Sequence, residues 1–146
     1  MLLTQDNLKL MCQNVGNLIG IEARILYAIS MTESSGNTQA VSKSNAVGLM
    51  QMTEIALKQI QKSFGKYFTL EDMKDAEKAL EAGGLYFKWL LSIYELDLAV
   101  LSYAWGIGNV KNWLSNTKCD NQFIDEAIPK EKKDYLYNFL FWYKNF

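Results

Sequence analysis

One helical stripe in the middle of the chain limits the folds that this sequence can adopt. Six small or apolar residues follow one another at spacings of 4, 3, 4, 3 and 4, namely Ala76, Leu80, Gly83, Phe87, Leu90 and Tyr94. That spacing puts all six on one face of an α-helix, where they pack against a core. Asp72 or Asp75, just before the stripe, can cap its first turn. The stripe therefore predicts a long amphipathic helix.

The rest of the chain repeats the helical periodicity and shows no strand pattern. Apolar residues recur at helical spacing in residues 21–29 and 135–143, and residues 98–105 are mostly apolar. One face of the first segment holds Leu8, Met11, Val15, Leu18 and Ile19. The single proline, Pro129, favours a helix start directly after it. We predict an all-α, compact helical domain that residues 1–146 form as one unit.

Charge and residue usage exclude several classes of protein. Fifteen basic residues against sixteen acidic ones leave no excess of positive charge for binding nucleic acid. The chain has no histidine, which excludes Ser-His and Cys-His catalytic pairs and removes the commonest metal ligand. Cys12 and Cys119 alone cannot build a structural zinc site, and they are either two buried thiols or a disulfide pair. We predict no metal and no cofactor.

The sequence also bears on membranes and export. No apolar run approaches the roughly 18 residues that a membrane-spanning helix needs. Residues 1–14 lack the basic region and the unbroken apolar stretch of a signal peptide. Either the protein is not exported by that route, or a leader has been removed.

Glu33 is the first candidate for a catalytic residue. It follows the apolar residues 21–31 and begins a polar stretch, residues 33–45, that is dense in turn-forming residues. A carboxyl group between an apolar helix and an open cleft is partly buried, which raises its pKa and lets it deliver a proton near neutral pH. The plainer interpretation is a solvated glutamate at the end of a helix.

Three other segments are candidates for a binding site. Gly48 to Gln51 can open a helix, and the Gln51 amide offers a donor and an acceptor suited to a sugar. Residues 102–110 place Tyr103 and Trp105 beside a glycine turn, where aromatic rings can line a carbohydrate cleft. The hydroxyl group of Tyr135 can reach a polar partner if its ring is buried. Each segment, taken alone, also fits an ordinary helix start or core packing.

Taken together, these segments resemble the lytic transglycosylases of the goose-lysozyme-like fold (soluble transglycosylase type, glycoside hydrolase family 23). The family's motifs occur in the family's order within residues 20–143, and 18 residues separate Glu33 from Gln51, as in the family. The matching segments are residues 25–34, 37–42, 48–51, 79–87, 103–110 and 128–135.

The resemblance implies a reaction and a set of residues. Glu33 would protonate the oxygen between N-acetylmuramic acid and N-acetylglucosamine in peptidoglycan. The same group would then take the proton from the muramoyl 6-hydroxyl, which closes a 1,6-anhydro ring without water. Tyr103 and Tyr135 match tyrosines near the catalytic glutamate. By position, substrate contacts fall to Ser34, Ser42, Met50, Gln51, Tyr103 and Tyr135.

Four departures from the family pattern affect glycan binding rather than Glu33. Ala104 stands where the family usually has Asn, and Asn45 where it usually has Gly. Lys132 replaces the usual Thr, and Thr53 replaces a Met that often lines the cleft. We expect these positions to change the strength and the subsite preference of binding.

Other functions remain open at this stage. A lysozyme-like hydrolase would cut the same bond with water and would need a second carboxylate across the cleft. A glycan-binding assembly subunit would keep the fold with vestigial chemistry, and an all-helical interaction domain would need no site. We expect a monomer that acts on peptidoglycan in the periplasm or cell envelope, or that is carried by a phage. The sequence leaves open whether it serves wall turnover or a secretion, conjugation or phage machine.

Overall fold

Seven α-helices make up most of the residues that the structure, a computed structural model, describes, which are 1–117 and 125–146. They are α1 (Gln5–Ile19), α2 (Ala23–Ser34), α3 (Glu54–Phe64), α4 (Ala76–Leu91), α5 (Leu96–Trp105), α6 (Ile107–Asn116) and α7 (Lys130–Lys144), with a short 3-10 helix at Glu71–Lys74. Extended pairing in these ranges is confined to three isolated bridges. The predicted all-α class is confirmed.

Helix α4 contacts four other helices, α1, α2, α3 and α5, as its apolar stripe predicts. The buried members of the stripe are Leu80, Gly83, Phe87 and Leu90. Asp75 caps the helix, because its carboxylate accepts a hydrogen bond from the backbone N–H of Lys78 at 3.0 Å. The helix ends at Leu91, so Tyr94, the last residue of the stripe, lies beyond it.

Helix α2 is buried in its middle, and its C-terminal end leads into the polar stretch of residues 33–45. Residues 25–30 are all buried, with α1 on one side and α7 on another. Helix α5 also packs on α7, and its residues 99–102 are buried. The C-terminal end of α2, the middle of α7 and the end of α5 therefore meet near one place.

Two local predictions are wrong. Leu18 is 75% exposed, because it lies about 80° around α1 from Leu8 at 100° per residue. Residues 48–51 do not open a helix but form a turn, in which Gly48 has a φ of 84° and Gln51 a φ of 52°. Helix α3 begins only at Glu54, after the cap residue Thr53.

Cys12 is a buried, free thiol, and burial raises its pKa to about 12. Its predicted alternative partner, Cys119, lies outside the described residues. Within residues 1–117 and 125–146, no helix has both the length and the apolar character needed to cross a bilayer.

Candidate active site

Glu33 lies in the last turn of α2 and is held by α7. The Tyr135 hydroxyl donates a hydrogen bond of 2.8 Å to one oxygen, Oε2, of the Glu33 carboxylate. The side chain is partly buried, at the place where the polar loop begins. The sequence predicted both the partial burial of Glu33 and its proximity to Tyr135, which stands 102 residues further along the chain.

Burial dominates the proton affinity of this carboxyl group. It raises the pKa of Glu33 from 4.5 to about 7, in the direction that the sequence predicted. The hydrogen bond from Tyr135 and the positive charge of Lys132 both favour the carboxylate and lower the pKa, but by less. A carboxyl group with a pKa near 7 can both give and take a proton at neutral pH.

Two partly buried tyrosines lie near the carboxyl group and have different hydrogen-bond partners. Burial raises the pKa of both hydroxyls well above the usual value, so each stays neutral and able to donate. Tyr135 donates to Glu33, whereas Tyr103 donates to the backbone oxygen of Met50 at 2.6 Å. The charge of Glu33 also raises the pKa of Tyr103, as expected for neighbours. Tyr103 therefore links α5 to the turn rather than holding the carboxyl group.

The turn at residues 48–51 presents Gln51 to the cleft. The Gln51 amide nitrogen donates to the backbone oxygens of Ala40 and Gly48, both at 3.0 Å. These bonds fix the side chain and tie the polar loop to the turn. Among the described residues, no donor reaches the Gln51 amide oxygen, which leaves an acceptor for a ligand.

Met50 supports the turn from within the core, and its contact with substrate stays a prediction. Its side chain has no exposed surface and fills the space above Gly83. Its sulfur accepts a hydrogen bond from Ser30 at 3.2 Å. A Cβ atom on Gly83 would stand 2.5 Å from the Met50 methyl carbon, so only glycine allows this packing.

Ser34, the last residue of α2, and Ser42, in the polar loop, both make hydrogen bonds that hold the loop and the turn in place. The Ser34 hydroxyl donates to the backbone oxygen of Leu49 at 2.8 Å, which joins the end of α2 to the turn. The Ser42 hydroxyl accepts from the backbone N–H of Ala46 at 3.0 Å and shares a hydrogen bond with Ser44. Both serines are partly exposed, so each stays a predicted substrate contact.

A groove of about 380 Å³ has Tyr103, but not Glu33, among its lining residues. Its polar and aromatic lining residues are Gln51, Thr53, Tyr86, Ser102, Tyr103 and Trp105. Sequence reasoning did not single out Tyr86, whose ring packs edge-on against Tyr103 with centroids 5.8 Å apart. Its signal was present within the family-like segment 79–87, beside the apolar stripe. Sequence reasoning noted Lys132 only as a departure, yet its charge acts on Glu33.

The site contains no cluster of metal-binding side chains. Within the described ranges, His, Cys, Asp and Glu side chains form no group of three or more that could hold a metal ion. The chemistry that the arrangement supports is proton transfer by Glu33 beside a groove with aromatic and amide groups.

The sequence of this chain is similar to those of known proteins. The profile of the family described as "Transglycosylase SLT domain" matches residues 12–125. An endo-type membrane-bound lytic murein transglycosylase A of Cronobacter sakazakii is 30% identical over 136 residues, which cover 82% of this chain and 65% of that protein. A membrane-bound lytic murein transglycosylase C of Edwardsiella ictaluri is 37% identical over 87 residues, or 58% of this chain and 24% of that protein. The chain thus spans 65% of the length of the first relative and 24% of the length of the second.

Solved structures share the fold. An inactive variant of the lytic transglycosylase Slt from Pseudomonas aeruginosa superposes with a TM-score of 0.79 at 24% identity, over 91% of this chain and 22% of that one. The 70-kDa soluble lytic transglycosylase of Escherichia coli gives a TM-score of 0.77 at 24% identity, over 91% of this chain and 23% of that one. The predicted lysozyme-like helical fold is confirmed.

Proposed function

The chain belongs to the transglycosylase SLT domain family, and from that premise we propose that it is a peptidoglycan lytic transglycosylase. It cleaves the β-1,4 bond between N-acetylmuramic acid and N-acetylglucosamine and leaves 1,6-anhydromuramoyl ends. The observation that carries this proposal is the Glu33 carboxyl group, bound to Tyr135 at 2.8 Å and with its pKa raised to about 7. The relatives that carry lytic murein transglycosylase names support it.

In the first step Glu33 acts as a general acid. The protonated carboxyl group gives its proton to the glycosidic oxygen as the bond to the muramoyl anomeric carbon breaks, and N-acetylglucosamine leaves as an alcohol. Burial supports this role, because it keeps a fraction of Glu33 protonated at neutral pH. The hydrogen bond from the Tyr135 hydroxyl holds the Glu33 carboxyl group in one orientation, and the hydroxyl remains neutral in both steps.

In the second step the same group acts as a general base. The Glu33 carboxylate takes the proton of the muramoyl 6-hydroxyl, whose oxygen bonds to the anomeric carbon and closes the anhydro ring. The carboxyl group is then protonated again, so one residue completes the cycle without water. The Tyr135 hydrogen bond and the Lys132 charge stabilise the carboxylate between the two steps.

Hydrolysis by a lysozyme-like route is less well supported. An inverting hydrolase needs a second carboxylate to activate water, and a retaining one needs a second carboxylate as nucleophile. No acidic group of the described residues contributes to the pKa of Glu33. An assembly subunit with vestigial chemistry would not need to keep Glu33 and Tyr135 together. We therefore place the protein in the cell envelope, where peptidoglycan lies, acting on glycan strands.

The groove beside Tyr103 would hold the glycan strand. The free acceptor of Gln51 suits the N–H of an acetamido group, and Tyr86 and Trp105 offer ring faces for sugar C–H groups. Ser34 at the end of α2 and Ser42 in the polar loop would meet the strand near Glu33. Ala104 in place of the family's usual Asn removes one polar contact from this groove.

Mass spectrometry of muropeptides released from purified peptidoglycan tests the proposal. We expect products with 1,6-anhydromuramoyl ends, which lack one water relative to reducing ends. Reducing muramic acid ends would instead establish hydrolysis and contradict the proposed second step. Absence of any product from several peptidoglycan types, with a correctly folded protein, would favour a binding or assembly role.

A further inference from the structure

Lys132 lies on the face of α7 that looks toward Glu33. It stands three residues before Tyr135, and residues three apart lie on the same side of a helix. Because the Tyr135 hydroxyl donates to the Glu33 carboxylate, Lys132 begins on the same face of α7, about one turn before that contact. The effect of its charge on Glu33 agrees with this placement.

Lys132 lacks the partners that its neighbouring lysines have. Lys130 pairs with Asp134 at 2.9 Å, and the Lys133 ammonium donates to the backbone oxygen of Asp125 at 2.9 Å. In the described part of the chain, Lys132 makes no ion pair within 4 Å and no side-chain hydrogen bond. It is partly buried, in the first turn of α7, where the helix dipole also disfavours a cation.

During the reaction Lys132 also loses its distant counter-charge, the Glu33 carboxylate. Glu33 must be protonated to act as the acid, and a protonated carboxyl group gives Lys132 no negative charge to face. Among the described residues, the site that is ready to cleave therefore leaves the Lys132 ammonium group without a negative partner. A partly buried cation without a partner favours an anionic ligand, because a charge-assisted hydrogen bond would replace its lost hydration.

We propose that Lys132 binds a carboxylate of the muramoyl unit and so makes the site select the sugar whose bond Glu33 cleaves. This inference rests on the proposed function. N-acetylmuramic acid differs from N-acetylglucosamine by an O3-lactyl ether, which ends in a carboxylate or in a peptide that bears carboxylates. Both sources offer the same chemistry to an ammonium group. Chitin strands, which have neither, offer no such partner.

Binding of that carboxylate would also prepare Glu33 for catalysis. A bound anion offsets the positive charge of Lys132, so the pKa of Glu33 rises in the complex and the carboxyl group keeps its proton until the bond breaks. Tyr135 and Lys132, both from α7, are the titratable groups that act on the pKa of this carboxyl among the described residues, and the charge of Glu33 in turn raises the pKa of Tyr103 on α5. None from α1 or α4, which also pack on α2, contributes to its pKa.

A binding experiment that needs no turnover tests the proposal. In a Glu33→Gln background, calorimetry would compare three glycan oligomers of equal length: peptide-free peptidoglycan strands, peptide-bearing strands and chitin. We expect Lys132→Met to weaken binding of peptide-free strands about tenfold, or about 1.4 kcal/mol, and to leave chitin unchanged. Lys132→Arg should retain the affinity. Lys130→Met, which removes the same charge from an exposed neighbour, is the matched control.

The outcomes distinguish the lactyl carboxylate from a peptide carboxylate, and a failure of the proposal from a folding defect. A loss confined to peptide-bearing strands would support the carboxylate contact and place it in the peptide. Equal losses for all three ligands, or none, would overturn the proposal. Thermal melting of Lys132→Met beside Lys130→Met identifies a folding defect. The proposed function fails separately, if the unmodified protein releases no anhydro products.

The pH profile gives a second readout that a merely structural lysine would not move. Loss of the positive charge raises the pKa of Glu33 in the free enzyme, so Lys132→Met should shift the alkaline limb of kcat/KM to higher pH. Lys132→Arg should leave the limb in place. An unchanged limb in Lys132→Met would mean that the ammonium group does not face the carboxyl group, and would overturn the proposal.

Discussion

At the scale of single residues, Glu33 shows how opposing effects set one proton affinity. Removal of the carboxylate from water raises its pKa, while the Tyr135 hydrogen bond and the Lys132 charge lower it. Burial outweighs the two favourable contacts, and the result is a value of about 7. A more exposed glutamate would be deprotonated at neutral pH, and a more buried one, with a higher pKa, would be a weaker acid toward the glycosidic oxygen.

Glu33→Gln should abolish turnover and spare binding. The amide keeps the size of the carboxyl group and can accept the hydrogen bond from Tyr135, but it cannot exchange a proton. We expect kcat to fall by at least about a thousandfold, with glycan affinity nearly unchanged. Product release and calorimetry on the same preparation measure both quantities. Substantial remaining activity would show that another residue is the acid.

Tyr135→Phe should change the pH profile more than the fold. Loss of the hydrogen bond raises the pKa of Glu33, so the alkaline limb of kcat/KM, near pH 7 in the unmodified protein, should move upward. We expect about a tenfold lower rate at the optimum, because the carboxyl group loses its orientation. Tyr67→Phe, at a 74% exposed tyrosine, is the control. A rate loss without any pH shift would argue against the contact with Glu33.

At the scale of elements, the turn at residues 48–51 joins α2, α4 and α5. Ser34 reaches it from α2, Tyr103 from α5, and Gly83 of α4 lies beneath Met50. A Cβ atom on Gly48 would stand 1.8 Å from the Met73 backbone oxygen, so the turn can approach the 3-10 helix only with glycine there. A helix start at residues 48–51 would lose these contacts, which is why the turn forms instead.

Gly83→Ala should destabilise the protein, whereas Gly108→Ala should not. The new methyl group at position 83 would press on the buried Met50 side chain, at a cost of about 1–3 kcal/mol. A Cβ atom on Gly108, in α6, meets nothing within 4 Å. Alanine there should therefore raise the free energy of unfolding by up to about 1 kcal/mol through its higher helix propensity. Urea unfolding of both variants measures whether each substitution lowers or raises the free energy of unfolding. Equal stabilities would contradict the packing of α4 on the turn.

At the scale of the whole molecule, the site exists only because distant segments meet. Glu33 and Tyr135 are 102 residues apart, and Tyr103 and Met50 are 53 apart. The packing of α7 against both α2 and α5 brings these pairs together. The charge state of Glu33 is therefore coupled to folding, since the carboxyl group regains its ordinary pKa when the chain unfolds.

Stability should fall as the pH rises from about 4.5 to about 7. In that window the folded protein binds the Glu33 proton and the unfolded chain releases it, so the unfolding free energy decreases with pH. The complete effect is roughly 3 kcal/mol, at 1.36 kcal/mol for each pKa unit. Glu33→Gln removes it and should be more stable than the unmodified protein at pH 8, but not at pH 4.

Urea unfolding at both pH values checks this prediction. Glu95→Gln serves as the control, because Glu95 is an exposed glutamate outside the site. Equal gains for both substitutions would show that the loss of any negative charge stabilises the protein. No gain for Glu33→Gln at pH 8 would show that burial does not raise the pKa of Glu33 as described.

Sequence alone predicts the helical class, the stripe of α4 with a cap at Asp72 or Asp75, and the position of Glu33 at the end of an apolar helix. These features depend on neighbours within a few turns, so periodicity and cap chemistry predict them. Tertiary packing settles that Tyr135, and not Tyr103, donates to Glu33, that Met50 is buried, and that the charge of Lys132 acts on the carboxyl group. Those outcomes depend on how α7 and α5 pack on α2, which local sequence does not encode.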